Sequence, residues 1–156
     1  MKKLFWLMSI MLFCSCASDF YKPTPEKFAT QERINKTKGF AEQFFDKCNN
    51  KDYSEIQGYN IDVNTKKDLA PENLKKVCEK LLEKTGKIAI GKFNNAITPN
   101  HPSDFMDVMI FDAKCESNDS VKYAVVSLYR DGDFMYKINL SKSPKPVIRI
   151  HLGKKK

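Results

Sequence analysis

The chain has 156 residues, enough for one domain with its own core, and carries 27 Lys and Arg against 19 Asp and Glu for a net charge of +8. That charge is moderate and scattered, apart from Lys154, Lys155 and Lys156 at the end, which excludes the dense basic stripe expected of a nucleic-acid-binding protein. Neither an internal repeat nor a low-complexity block interrupts it.

The first three residues, Met1-Lys2-Lys3, are a basic head, and residues 4–13 form an apolar run broken only by Ser9. Small residues follow at once, which is the layout of a secretory signal. The run is shorter than the roughly 20 apolar residues of a membrane-spanning helix. Its end, Phe13-Cys14-Ser15-Cys16-Ala17, resembles the lipobox of bacterial lipoproteins, in which a cysteine behind a small residue is acylated and becomes the new N-terminus. Ser15 precedes Cys16, whereas bulky Phe13 precedes Cys14. The resemblance therefore implies a signal over residues 1–16, lipidation at Cys16, and contact with a membrane through N-terminal acyl chains. The expected location is the cell envelope, as an anchored lipoprotein facing the periplasm or the cell surface. Ser15-Cys16-Ala17 also fits ordinary signal cleavage after Ala17, which gives a soluble periplasmic or secreted protein instead. Residues 17–29, with Asp19, Lys22, Pro23 and Pro25, lack an apolar period and read as a tether.

The folded part is expected over residues 30–153, followed by the basic tail 154–156. Ile34, Phe40, Ala41, Phe44, Phe45 and Cys48 keep to one side of a 3.6-residue period, which predicts an amphipathic helix over 30–48 ending at Asn49-Asn50. A short turn or helix is expected at 52–56. Pro71 suits the first position of a second long helix, Leu74, Val77, Cys78, Leu81 and Leu82 form its apolar stripe, and Gly86 suits the residue past its end. Beyond Gly86 the period becomes two. Strands are predicted over 87–96, with Gly91 at a bulge, over 105–115, and over 121–130 after a turn at Asn118-Asp119. Asp131-Gly132 then joins two alternating runs as a hairpin. Pro144 and Pro146 precede a last candidate strand over 147–152. Helices followed by a meander of strands predict an α+β fold, with the helices on one face of an antiparallel sheet.

The order of the helix bearing AEQFFDKCNNKDY, the helix PENLKKVCEKLLEKTG and the hairpin YRDGDFMYKINL is similar to small bacterial lipoproteins of the nuclear transport factor 2-like, or cystatin-like, superfamily. The resemblance implies a curved sheet wrapped around the helices as a cone. It also implies a place for chemistry, since enzymes of that superfamily use an acidic base with a tyrosine or a protonated acid as oxyanion donor in an apolar cavity. The candidates are Asp107 or Asp112 with Tyr123 or Tyr136. Asp107 shares its strand parity with Phe105, Met109 and Phe111, which sets it apart from Asp112. A strand-end acid facing solvent, and tyrosines in cross-strand packing, are the plainer alternatives.

No cofactor or metal is expected. His101 and His151 are the only histidines and have no ligand-spaced neighbours, and Thr85-Gly86-Lys87 lacks the glycines of a phosphate loop. Cys48, Cys78 and Cys115 remain once the signal is removed. They read either as three small buried residues or as a Cys48–Cys78 bridge between the helices with Cys115 left over. Two functions stay open. One is a non-enzymatic, lipid-anchored module for a hydrophobic ligand, a peptide or an envelope protein. The other is a small cone-cavity enzyme acting on an apolar substrate, and an anchored inhibitor or immunity protein fits the size as well.

Overall fold

A computed structural model describes residues 20–100 and 105–145. Strand β1 (Tyr21–Pro23) and a short 3-10 turn (Glu26–Phe28) lead into helix α1 (Gln31–Asn49). Helices α2 (Val63–Asp68) and α3 (Pro71–Thr85) follow, then strands β2 (Ile88–Pro99), β3 (Met106–Cys115), β4 (Tyr123–Tyr129) and β5 (Met135–Ser141).

Local chemistry sets the helix bounds. The Thr30 hydroxyl accepts the Arg33 amide and opens α1, which satisfies one of the donors a helix leaves free at its start. Pro71 takes the first position of α3, where its missing N–H costs nothing, and Gly86 closes the helix at φ 63°. Of the turn or helix expected at 52–56 only a turn forms, with the Ser54 amide donating to Asp52 Oδ1, and helix α2 follows later, opened by the Asp62 carboxylate accepting the amides of Asn64 and Thr65. The α3 stripe is narrower than expected. Leu74 and Cys78 are fully buried and Leu81 packs at the edge of the core, but Val77 is 41% exposed.

The five strands pair antiparallel in the order β1-β2-β3-β4-β5, each with its neighbour in sequence. This overturns the expected cone. The sheet is neither curled nor closed, because β1 and β5 lie at opposite ends of the order, so the helices pack on one face of an open sheet. The segment read as a tether contributes β1, whose Tyr21 to Pro23 lie opposite Pro99 to Ile97. Gly91 falls at a register shift between Ile90 and Phe93, where a Cβ would sit 3.1 Å from that of Asp112.

The main core lies between α1, α3 and the sheet. Phe40, Phe44 and Phe45 of α1 and Leu74 of α3 meet Met109 and Phe111 of β3, and Ala124, Val126 and Leu128 of β4. The opposite face carries a smaller cluster of Ile97, Val108, Ile110 and Val125, with Tyr21 and Tyr123 against it. Cys48, at the end of α1, is joined by a disulfide to Cys78 of α3, and Cys115 is buried as a free thiol.

The signal over 1–16, Cys16, both histidines, the strand expected over 147–152 and the lysine tail lie outside the described residues. The expected membrane-anchored envelope location is corrected by the folded part: among the described residues no helix is long and apolar enough to cross a membrane.

Candidate functional site

Asp107 is the second residue of β3 and points to the helix side of the sheet with Met109 and Phe111, as its parity requires. Phe105 does not join them. It precedes the strand and is 67% exposed. The Asp107 carboxylate has no exposed surface, and three side chains saturate it. Arg33 of α1 donates from Nη1 to Oδ2 at 2.7 Å, and the Thr98 hydroxyl of β2 donates to Oδ1 at 2.7 Å. Arg130, just past β4, donates from Nη2 to Oδ1 at 2.7 Å and from Nε to both oxygens at 3.0 and 3.1 Å. Because Thr98 has one hydroxyl proton and gives it to Asp107, it accepts from Arg130 Nη2 at 2.9 Å and from the Thr24 hydroxyl at 3.0 Å.

The arginines are themselves held. Arg33 donates to Asp133 at 2.5 Å and to the carbonyls of Phe28 and Tyr129 at 2.6 and 3.2 Å. The Arg130 guanidinium lies over the Phe28 ring at 4.1 Å. Burial alone would raise the Asp107 pKa, but the donors from Arg130, Arg33 and Thr98 outweigh it and hold the group below the usual carboxylate range. A carboxylate with such partners is a poor base, and it is not the protonated acid that an oxyanion donor would have to be.

Neither tyrosine candidate reaches it. Tyr123 lies opposite Asp112 at the far end of β3 and packs against the cluster on the other face. The Tyr136 ring packs against Tyr129 at a tilt of 56° with centroids 5.2 Å apart, a cross-strand pair. The acid and tyrosines nominated for catalysis are therefore not brought together. Among the described residues no group of three or more His, Cys, Asp or Glu is placed to hold a metal ion.

What the sequence reading missed is the partner set of Asp107 and a surface next to it. Arg33 had a signal, for it stands on the buried side of α1, in line with Thr37, Phe40 and Phe44, where a charge needs a partner. Outside this network, where the β4–β5 hairpin meets the start of α2, lies a cleft of about 450 Å³. Val63, Phe105, Tyr129 and Phe134 form its apolar walls, with Asp62 and Asp131 beside them. Three of the six large apolar side chains that are exposed among the described residues meet here: Val63 at 68%, Phe105 at 67% and Phe134 at 43%.

One of the charges that hold Asp107, Arg33, also fixes the hairpin beside the cleft. Asp133 at the hairpin tip is tied to Arg33, with Lys36 at 3.7 Å. Asn60 donates from its side chain to the Gly132 carbonyl at 2.8 Å. The backbone of residues 60–62 exchanges hydrogen bonds with Met135, and the Thr65 hydroxyl bonds the Tyr136 carbonyl. Segment 60–65 is thereby fixed along β5.

No family model matches the chain, and neither a curated protein nor a solved structure matches it. Together with the open sheet, this overturns the resemblance to the nuclear transport factor 2-like superfamily. What stands is an α+β fold with helices on an open antiparallel sheet.

Proposed function

We propose that the chain is a non-enzymatic binding module that recognises a protein partner through the cleft beside the β4–β5 hairpin. The convergence of Val63, Phe105 and Phe134 carries this reading. Single exposed apolar residues are ordinary on a surface, but a group of them around one concavity marks a place where apolar area is to be covered. The interior supports it. Phe40, Phe45, Leu74, Met109, Phe111, Leu128 and Met135 are fully buried side chains that fill the space between the helices and the sheet, so apolar recognition is left to the outside. An inhibitor or immunity protein would use the same surface, its partner then being an enzyme.

Site-specific photo-crosslinking tests the reading. A photoreactive phenylalanine analogue at position 105 or 134 should give the same discrete polypeptide adduct in the source cell, suppressed by excess unlabelled wild-type chain. The same group at position 76, on the exposed side of α3, should give none. No adduct from either cleft position, or equal labelling from position 76, overturns the proposal.

A further inference from the structure

The charges of the cleft run against those of the chain. The whole sequence is +8, yet among the described residues both charged residues lining the cleft, Asp62 and Asp131, are carboxylates. Asp62 commits Oδ1 to the amides of Asn64 and Thr65, and its Oδ2 has no hydrogen-bond partner among the described residues. Among the described residues the Asp131 carboxylate makes no hydrogen bond or ion pair, whereas Arg33 and Arg130 are engaged with Asp107, and Arg33 and Lys36 with Asp133. Neither acid is part of the buried network, and although Asp62 caps α2 through Oδ1, that cap accounts neither for its Oδ2 nor for Asp131 beside the same apolar walls.

We infer that the cleft takes a segment of its partner in which an Arg or Lys adjoins a large apolar side chain. The inference rests on the cleft being the protein-binding surface and adds the chemistry of what enters it. The apolar side chain covers Val63 and Phe105, while the cation reaches Asp131 and Asp62 and lies against the faces of Phe134 and Tyr129, where an aromatic ring attracts positive charge. A purely apolar ligand would strip water from two carboxylates and offer them nothing in return, and an acidic one would be repelled. The site is built in advance. Asn60 on the Gly132 carbonyl and Arg33 on Asp133 hold the hairpin tip in place, so little of it has to be ordered when a ligand arrives.

Titration of the isotope-labelled full chain with two synthetic peptides tests this. Both carry Gly-Ser flanks, one around Leu-Arg-Phe and the other around Leu-Glu-Phe. The arginine peptide should shift the amide resonances of Val63, Phe105, Asp131 and Phe134 saturably, and raised salt should weaken it. The glutamate peptide should bind about tenfold more weakly or not at all. Asp131→Asn should weaken the arginine peptide about threefold without moving resonances in the core, since this side chain holds nothing in the fold. Equal binding of the two peptides, or shifts confined to residues outside the cleft, overturns the cationic assignment. In the first case the photo-adducts at positions 105 and 134 still decide separately whether the cleft binds a protein, so failure of one reading is distinguishable from failure of the other.

Discussion

Arg33, in the first turn of α1, and Asp107, at the start of β3, stand 74 residues apart in the chain and meet at 2.7 Å with both side chains almost wholly buried. The contact fastens the first helix to the central strand. Its energetics are asymmetric. Asp107 is the acceptor that Arg33, Arg130 and Thr98 share, so Asp107→Ala removes the common counterion of two largely buried guanidinium groups and should cost about 3–5 kcal/mol. Arg33→Met leaves Asp107 paired with Arg130 and should cost less, about 1–3 kcal/mol. Urea melts of the two variants would show the order, and a smaller loss for Asp107→Ala would mean that the network does not fasten the fold.

The same carboxylate gives stability a sign with pH. Its pKa is lowered in the folded state, so the unfolded chain binds its proton first as pH falls. The contribution is fully present above the unfolded value of about 3.9 and is lost as pH drops from there through the folded value. Wild type and Asp107→Asn should therefore differ most in stability near neutral pH, and the gap should narrow on acidification. A gap that stays constant from pH 7 to below pH 4 would place the cost of the substitution in packing and not in charge.

The Cys48–Cys78 disulfide closes a loop with a sequence separation of 30 between α1 and α3. Constraint of the unfolded chain by a loop of that size is worth about 3–4 kcal/mol on the chain-entropy account. Cys48→Ala/Cys78→Ala, or reduction of wild type, should lower the urea midpoint accordingly. Cys115 offers an internal control. It is buried, and that burial pushes its thiol up from the ordinary value, so it should resist alkylation until the chain unfolds. Alkylation of Cys115 in the folded, oxidised protein would show that β3 opens locally.

How much of this was legible in the sequence depends on the range of the contact concerned. The bounds of α3 could be read from Pro71 and Gly86 because a cap is a local matter, and the meander from β2 to β5 followed from turns between alternating runs, whereas β1 lay in the segment read as a tether. The closure of the sheet could not, since it depends on whether β1 and β5 meet, and no local pattern encodes that. Nor could periodicity separate Val77 from Leu74. Both lie on the apolar side of the helix, but only Leu74 reaches the sheet-side core. Leu74→Ala should accordingly cost about 2–5 kcal/mol, against less than about 1 kcal/mol for Val77→Ala. Phe105 and Phe134 were invisible as a surface for the same reason, because an aromatic residue in an alternating run reads as core until its neighbours are known.

The hairpin tip supplies a last test, of the cleft wall. Gly132 has φ 71°, and a Cβ built there would sit 2.6 Å from Cε2 of Phe134, so the glycine is needed twice, for its backbone and for the ring that lies over it. Gly132→Ala should cost more than about 1 kcal/mol and displace Phe134 from the cleft. The two causes can be separated. In Gly132→Ala/Phe134→Ala the ring is gone and only the backbone strain remains, so adding Phe134→Ala to Gly132→Ala should cost less than adding it to wild type. A double-mutant cycle by urea melts measures the difference. Strict additivity would mean that the Phe134 ring moves aside freely, and the aromatic wall would then be a mobile side chain in place of the preformed surface that the hydrogen bonds of Asn60 and Asp133 describe.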